Sequence, residues 1–152
     1  MIKKPVKPLL LLPLFIFLSS YTCIFGKKEG IRGTIYRVQG NQMPAPGEPS
    51  TQPQPYQATL CIYQLTNVSQ VQKDDKASFY KAIHTKLVKE VQSGKKGTFK
   101  VKLPPGQYSL FLKTENLYYA NLFDDKNNIA PVTVVKGKYS EIDVKADWGA
   151  VY

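Results

Sequence analysis

Residue types that carry chemistry are scarce in this chain. Its 152 residues include two cysteines, one histidine, two methionines and one tryptophan. Two cysteines close at most one bridge, which excludes a small disulfide-stapled scaffold. A single histidine, His84, falls short of the several His or Cys ligands that a zinc site draws together, and it reads as a residue on a strand or its edge. No G-x-S-x-G nucleophile elbow and no G-x-x-x-x-G-K phosphate loop occurs. Long hydrophobic runs are missing too. The longest, Leu9 to Leu18, has ten residues, against about 20 for a membrane-crossing helix. Acidic residues are few, 11 against 21 basic ones, for a net charge of +10.

What is present suits one domain. The hydrophobic fraction of 43% and aromatic fraction of 12% are enough for a core, so wholesale disorder is excluded. Lys3, Lys4 and Lys7 followed by the short apolar run have the pattern of an export signal over residues 1–26. Cleavage after Gly26 leaves 126 residues (152 − 26) with 18 basic and 11 acidic side chains, a charge of +7. Cleavage after Thr22 leaves Cys23 first, as in a lipid-anchored outer-membrane protein, although Ser20-Tyr21-Thr22-Cys23 matches a lipobox poorly. Both cuts stay open. Either one places the protein in the periplasm, at the cell surface or outside the cell. Cys61 then lacks a partner and reads as a buried thiol.

Residues 27–152 form the expected domain. Within it, Gln39 to Tyr56 holds five prolines, two glycines and one charge. Proline removes a backbone donor, so this stretch reads as a loop, either solvated or displaying Met43 and Tyr56 for binding. Around it the period is two. Ile31, Gly33 and Ile35 alternate with polar neighbours; so do Ala58, Leu60 and Ile62; Phe99, Val101 and Leu103; Tyr108, Leu110 and Leu112; Val132 and Val134. Ile142, Val144, Ala146 and Trp148 face one way, with Glu141, Asp143, Lys145 and Asp147 facing the other. Such alternation marks strands with one buried face. Leu103-Pro104-Pro105-Gly106-Gln107 fits a type II turn with Gly106 at positive φ. Phe79 to His84 is read as one short helical turn. The whole predicts a single antiparallel β-sandwich of about seven strands.

The run Gly97-Thr98-Phe99-Lys100-Val101-Lys102-Leu103-Pro104-Pro105-Gly106-Gln107-Tyr108-Ser109-Leu110 resembles the G-x-F-x-V-x-L-P-P-G-x-Y-x-L signature of carboxypeptidase regulatory-like domains. Gly30 to Ile35, including Gly33, is similar to that family's first strand. Tyr118 to Asn121 and Ile129 to Val134 resemble its stand-alone exported bacterial members. Two positions depart from the pattern: Ser93 to Lys96 replaces a usual Asp before the hairpin glycine, and Gln57-Ala58 replaces a Gly-Ala. The resemblance implies a transthyretin-like (prealbumin-like) sandwich and an accessory or interaction role, with no catalysis.

The remaining chemistry is sparse. Asp124, Lys126 and Asn128 alternate, but a lysine in the middle position suits an Asx-stabilised turn better than calcium. Asp74-Asp75 is a second acidic pair, and Asn67-Val68-Ser69 is a bare sequon. Seven lysines crowd between Lys81 and Lys102, a span with one acid, Glu90. Lys100 and Lys102 share a strand face, offering a cationic surface for glycans, headgroups or an acidic protein. Nucleic acid is disfavoured, since lysine lacks the bidentate fork of arginine. Tyr36, Tyr63 and Phe111 fall opposite the core alternation, either as exposed rings for a ligand or covered by another layer. Catalytic residues, cofactors and metals are not expected. The expected function is a structural or protein-interaction module of a bacterial envelope, free or membrane-associated; the alternative is a carbohydrate- or small-ligand-binding sandwich using its tyrosines and Pro-rich loop.

Overall fold

Strand alternation organises nearly everything that the computed structural model describes, namely residues 28–43, 46–47 and 51–152. The signal-like segment with Cys23 lies outside the described residues, as do 44–45 and 48–50 of the Pro-rich loop. The strands are β1 (Gly30–Asn41), β2 (Gln54–Pro55), β3 (Thr59–Gln64), β4 (Val71–Lys73), β5 (Phe79–Ile83), β6 (Leu87–Gln92), β7 (Thr98–Lys102), β8 (Gly106–Lys113), β9 (Tyr118–Tyr119), β10 (Pro131–Val134), β11 (Tyr139–Glu141) and β12 (Val144–Val151). One 3₁₀ turn, Val68–Gln70, interrupts them.

Two sheets result. In the first, β1 is central, with antiparallel β7 and β2 along one side. Its other side carries β11 and β12, both parallel to it. Gly30 opposes Tyr139 and Ile35 opposes Val144, the same offset, so β11 and β12 are one line broken at Ile142-Asp143. Gly33 sits at that break. A Cβ there would lie 1.7 Å from the Ile142 carbonyl oxygen, so only glycine lets the chain pass. The second sheet runs β4-β5-β9-β8-β3-β6, with β10 also on β8.

The sheets bury a shared core. Ile31, Ile35, Leu60, Ile62, Phe99, Val101, Leu103, Leu110 and Leu112 meet there, with Tyr108 and Val134. The all-β sandwich expected from the alternation is therefore the architecture, with short strands raising the number. β3 and β8 are buried on their second face as well. Cys61, Tyr63 and Phe111 project there and are covered by Tyr80, Ala120 and Ile129. Phe111 meets Tyr63 and Tyr80 edge to face, at 5.6 and 5.7 Å between centroids.

Two local expectations are corrected. Phe79 to Ile83 is strand β5, not a helical turn, because pairing with β4 and β9 decides a short apolar run that periodicity leaves ambiguous. The Pro-Gly connection is not a type II turn. Gly106 has φ 159°, nearly extended, and already begins β8. The corner is held instead by the Tyr108 hydroxyl, which donates to the Pro104 carbonyl at 2.8 Å. Pro104 and Pro105 themselves are exposed in the connection. Gly97, at φ 70°, closes the Gly94–Gly97 turn, where a Cβ would lie 2.3 Å from the Ile35 oxygen.

Candidate functional site

The register of β12 breaks once. Arg37 pairs with Ala146 and Gln39 with Gly149, so Asp147 and Trp148 together oppose Val38. Two residues against one make a β-bulge, which suspends alternation and re-aims a side chain. Asp147 and Trp148, adjacent in sequence, therefore line the same groove with Tyr119, Asn121, Phe79 and Tyr152. The alternation had put Asp147 on the opposite face from Trp148.

Trp148 is the aromatic hub. Its ring meets Tyr119 at 4.8 Å, Phe79 at 5.9 Å and Tyr56 at 6.2 Å, all edge to face. It is half-buried against the core, which fixes its plane while leaving part of it open. Arg37 stacks over Tyr56 at 5.3 Å, anchoring the end of the Pro-rich loop behind this hub. β2 pairs with β1 just before it, at the sheet edge where proline is tolerated.

Asp147 is held as an acceptor. The Tyr119 hydroxyl donates to its Oδ1, the Asn121 amide donates at 2.7 and 2.9 Å to its two oxygens, and the Tyr152 hydroxyl donates to Oδ2 at 2.9 Å. Among the described residues it forms no ion pair. Burial first, then the bond to Asp147, pushes the Tyr119 phenol above its ordinary value; for Tyr152 the bond to Asp147 comes first. Both phenols therefore stay protonated donors at neutral pH.

The opposite wall is the tip of the β4–β5 hairpin. Ser78 there has φ 65°, a left-handed conformation that costs a non-glycine residue about 1 kcal/mol or more. Its carbonyl accepts from the Ala120 amide at 3.1 Å, tying the tip beside Tyr119. The groove holds about 510 Å³. Beyond Trp148, Phe79 and Lys76 it continues into a hollow of about 360 Å³ reaching Glu115 and Asn116. An open aromatic wall beside a fixed carboxylate and amide is equipped for recognition.

The residues expected from sequence fall elsewhere. Tyr63, offered as a binding-surface residue, is buried at 6% exposure; a second layer covers its face, which removes it from any surface. Tyr36 is half-buried between Lys145 and Pro55. Lys100 and Lys102 are exposed, while the alternate Phe99 and Val101 point inward, and Lys100 lies over the Tyr139 ring at 4.6 Å. Lys100 borders a different hollow, with Arg32, Thr34 and Glu141. Asp124 accepts from the backbone of Lys126 and Asn128 and from the Asn128 amide, all at 2.8–2.9 Å, an Asx turn. The Asn67 amide nitrogen donates to Lys126 O, and its carbonyl oxygen caps the 3₁₀ turn. Among the described residues, no cluster of three His, Cys, Asp or Glu side chains is placed to hold a metal ion. Asp147, Tyr119, Asn121 and Ser78 were missed as site residues; the one available signal was a lone tryptophan next to an acid.

No protein-family model, curated protein or solved structure matches the chain.

Proposed function

We propose that the protein is an exported, non-catalytic binding module of a bacterial cell envelope and that the groove beside the β12 bulge is its recognition surface. The carrying observation is the bulge itself. It brings Asp147 and Trp148 to one side, opposite a hairpin tip with left-handed Ser78. Bulges and strained non-glycine residues concentrate at functional sites. The Lys3–Leu18 pattern supports export. The Gly97–Leu110 run, two strands of different sheets joined at the Pro104–Pro105 corner, supports kinship with carboxypeptidase regulatory-like accessory domains. Asp147 supports a binding role, since its oxygens are taken up by hydroxyl and amide donors rather than left free as a base.

The test uses the full chain expressed in a bacterium. Fractionation is expected to recover it from the envelope, and the purified protein is expected to sediment with isolated cell-wall sacculi or with envelope membranes. A Trp148→Ala variant with an unchanged circular dichroism spectrum should lose most of that retention. Recovery in the cytoplasm, or equal sedimentation of the variant, overturns the reading.

A further inference from the structure

Resting on the reading of this groove as a recognition surface, we propose that its ligand is a neutral glycan. Sugar rings stack against Trp148, and a ring hydroxyl donates to Asp147 Oδ2 in the place that Tyr152 now fills. Three features carry this.

The first is the pairing of groups. A pyranose presents an apolar C–H face and adjacent hydroxyls on its edge. The half-open Trp148 ring answers the first. The second is answered by Asp147 with Asn121, whose carbonyl oxygen accepts no hydrogen bond among the described residues. A carboxylate and an amide side by side suit neighbouring hydroxyls, because each hydroxyl both donates and accepts.

The second feature is Tyr152. It is 68% exposed, yet its hydroxyl sits 2.9 Å from Asp147 Oδ2. A phenol on an otherwise solvated ring occupies the position of a ligand hydroxyl and is readily displaced by one. The third is shape and charge. The groove runs on past Trp148 into the second hollow, giving room for more than one ring. Its fixed charge is Asp147 in the first hollow and Glu115 in the second, with Lys76 between them. Two carboxylates against one ammonium repel an acidic glycan and tolerate a neutral one.

Trp148 is the only tryptophan in the chain, so intrinsic fluorescence reads the groove directly. The probes are cellotriose and triacetylchitotriose, with trigalacturonate as the acidic contrast. At least one neutral probe is expected to shift the emission saturably below about 10 mM, a concentration that still detects weak binding. Trigalacturonate should give no shift. Asp147→Asn should weaken binding about tenfold or more, while Tyr152→Phe, which removes the competing hydroxyl from Oδ2 and leaves the Asn121 bond in place, should tighten it about threefold or more. No saturable shift with either neutral probe, or weaker binding by Tyr152→Phe, overturns the proposal. The surface variant keeps the test decisive if Asp147→Asn fails to fold. If envelope retention still depends on Trp148 while both neutral glycans are silent, the ligand class falls and the binding-module reading stands. If both results are negative, both fall.

Discussion

Replacing Gly33 by alanine would place a methyl group 1.7 Å from the Ile142 carbonyl oxygen and 2.7 Å from its carbon. Ordinary contact begins near 3.4 Å, so that carbonyl must retreat by about 1.7 Å. The retreat strains the two bonds that pin the break between β11 and β12. These run from the Ile142 amide to the Arg32 carbonyl at 3.0 Å and from the Thr34 amide to Asp143 Oδ1 at 3.1 Å. Losing one such bond costs about 1 kcal/mol. Overpacking beside buried Ile31 and Ile35 costs about 1–3 kcal/mol. The stiffer unfolded chain returns only about 0.4–1 kcal/mol. The net expectation is destabilisation by about 1–3.5 kcal/mol, lowering Tm by roughly 4–14 °C for a domain of this size. Urea and thermal unfolding followed by Trp148 emission and circular dichroism measure it. Gly94→Ala is the control, since its nearest new neighbour is the Thr98 hydroxyl at 3.4 Å; it should change stability by no more than about 0.5 kcal/mol. Gly33→Ala no less stable than Gly94→Ala would refute the close passage of chain at this position.

Tyr108→Phe removes the hydroxyl bond to Pro104 and should cost about 1 kcal/mol in urea unfolding, with the core ring still in place. The Cys61 thiol is pushed up to about 12, by burial first and by neighbouring Glu90 next. It should therefore resist maleimide at pH 8 in the native protein and react at once in urea; fast native labelling would contradict its burial. The Asp124 carboxyl is held below its usual value, chiefly by the Asn128 amide. Its contribution is thus present above the unfolded value near 4 and lost as pH falls through the lowered native one. Asp124→Ala should show a shallower acid limb in an unfolding series between about pH 5 and 2, and an unchanged limb would remove the turn from that account.

Where one sheet face is wet, the sequence was a sufficient guide. Phe99, Val101 and Leu103 alternate with exposed Lys100 and Lys102, and they are buried as read. Alternation cannot say whether the other face is also covered. Tyr63 and Phe111 look identical in sequence whether they meet water or Tyr80 and Ile129, and here they meet the latter. The groove was hidden for a different reason. Its acid and its ring are brought together by one extra residue in β12, and a register shift leaves no trace in a hydrophobic pattern. Ser78 was invisible because serine carries no signal for a left-handed backbone. At Gly33 and Gly97, in contrast, the glycine itself stands in the sequence, and a Cβ at either position would meet a backbone oxygen.

The parallel pairing of β1 with β12 bears on how the chain comes together. Ile35 and Val144 are about 110 residues apart, and β1 keeps its central place only when β11 and β12 arrive beside it. Local hairpins in the second sheet can form early, but the first sheet waits for the last strand to be made. Contacts of such separation slow folding, because the loop must close before any pairing rewards it. During synthesis the first sheet therefore stays incomplete until β12 emerges.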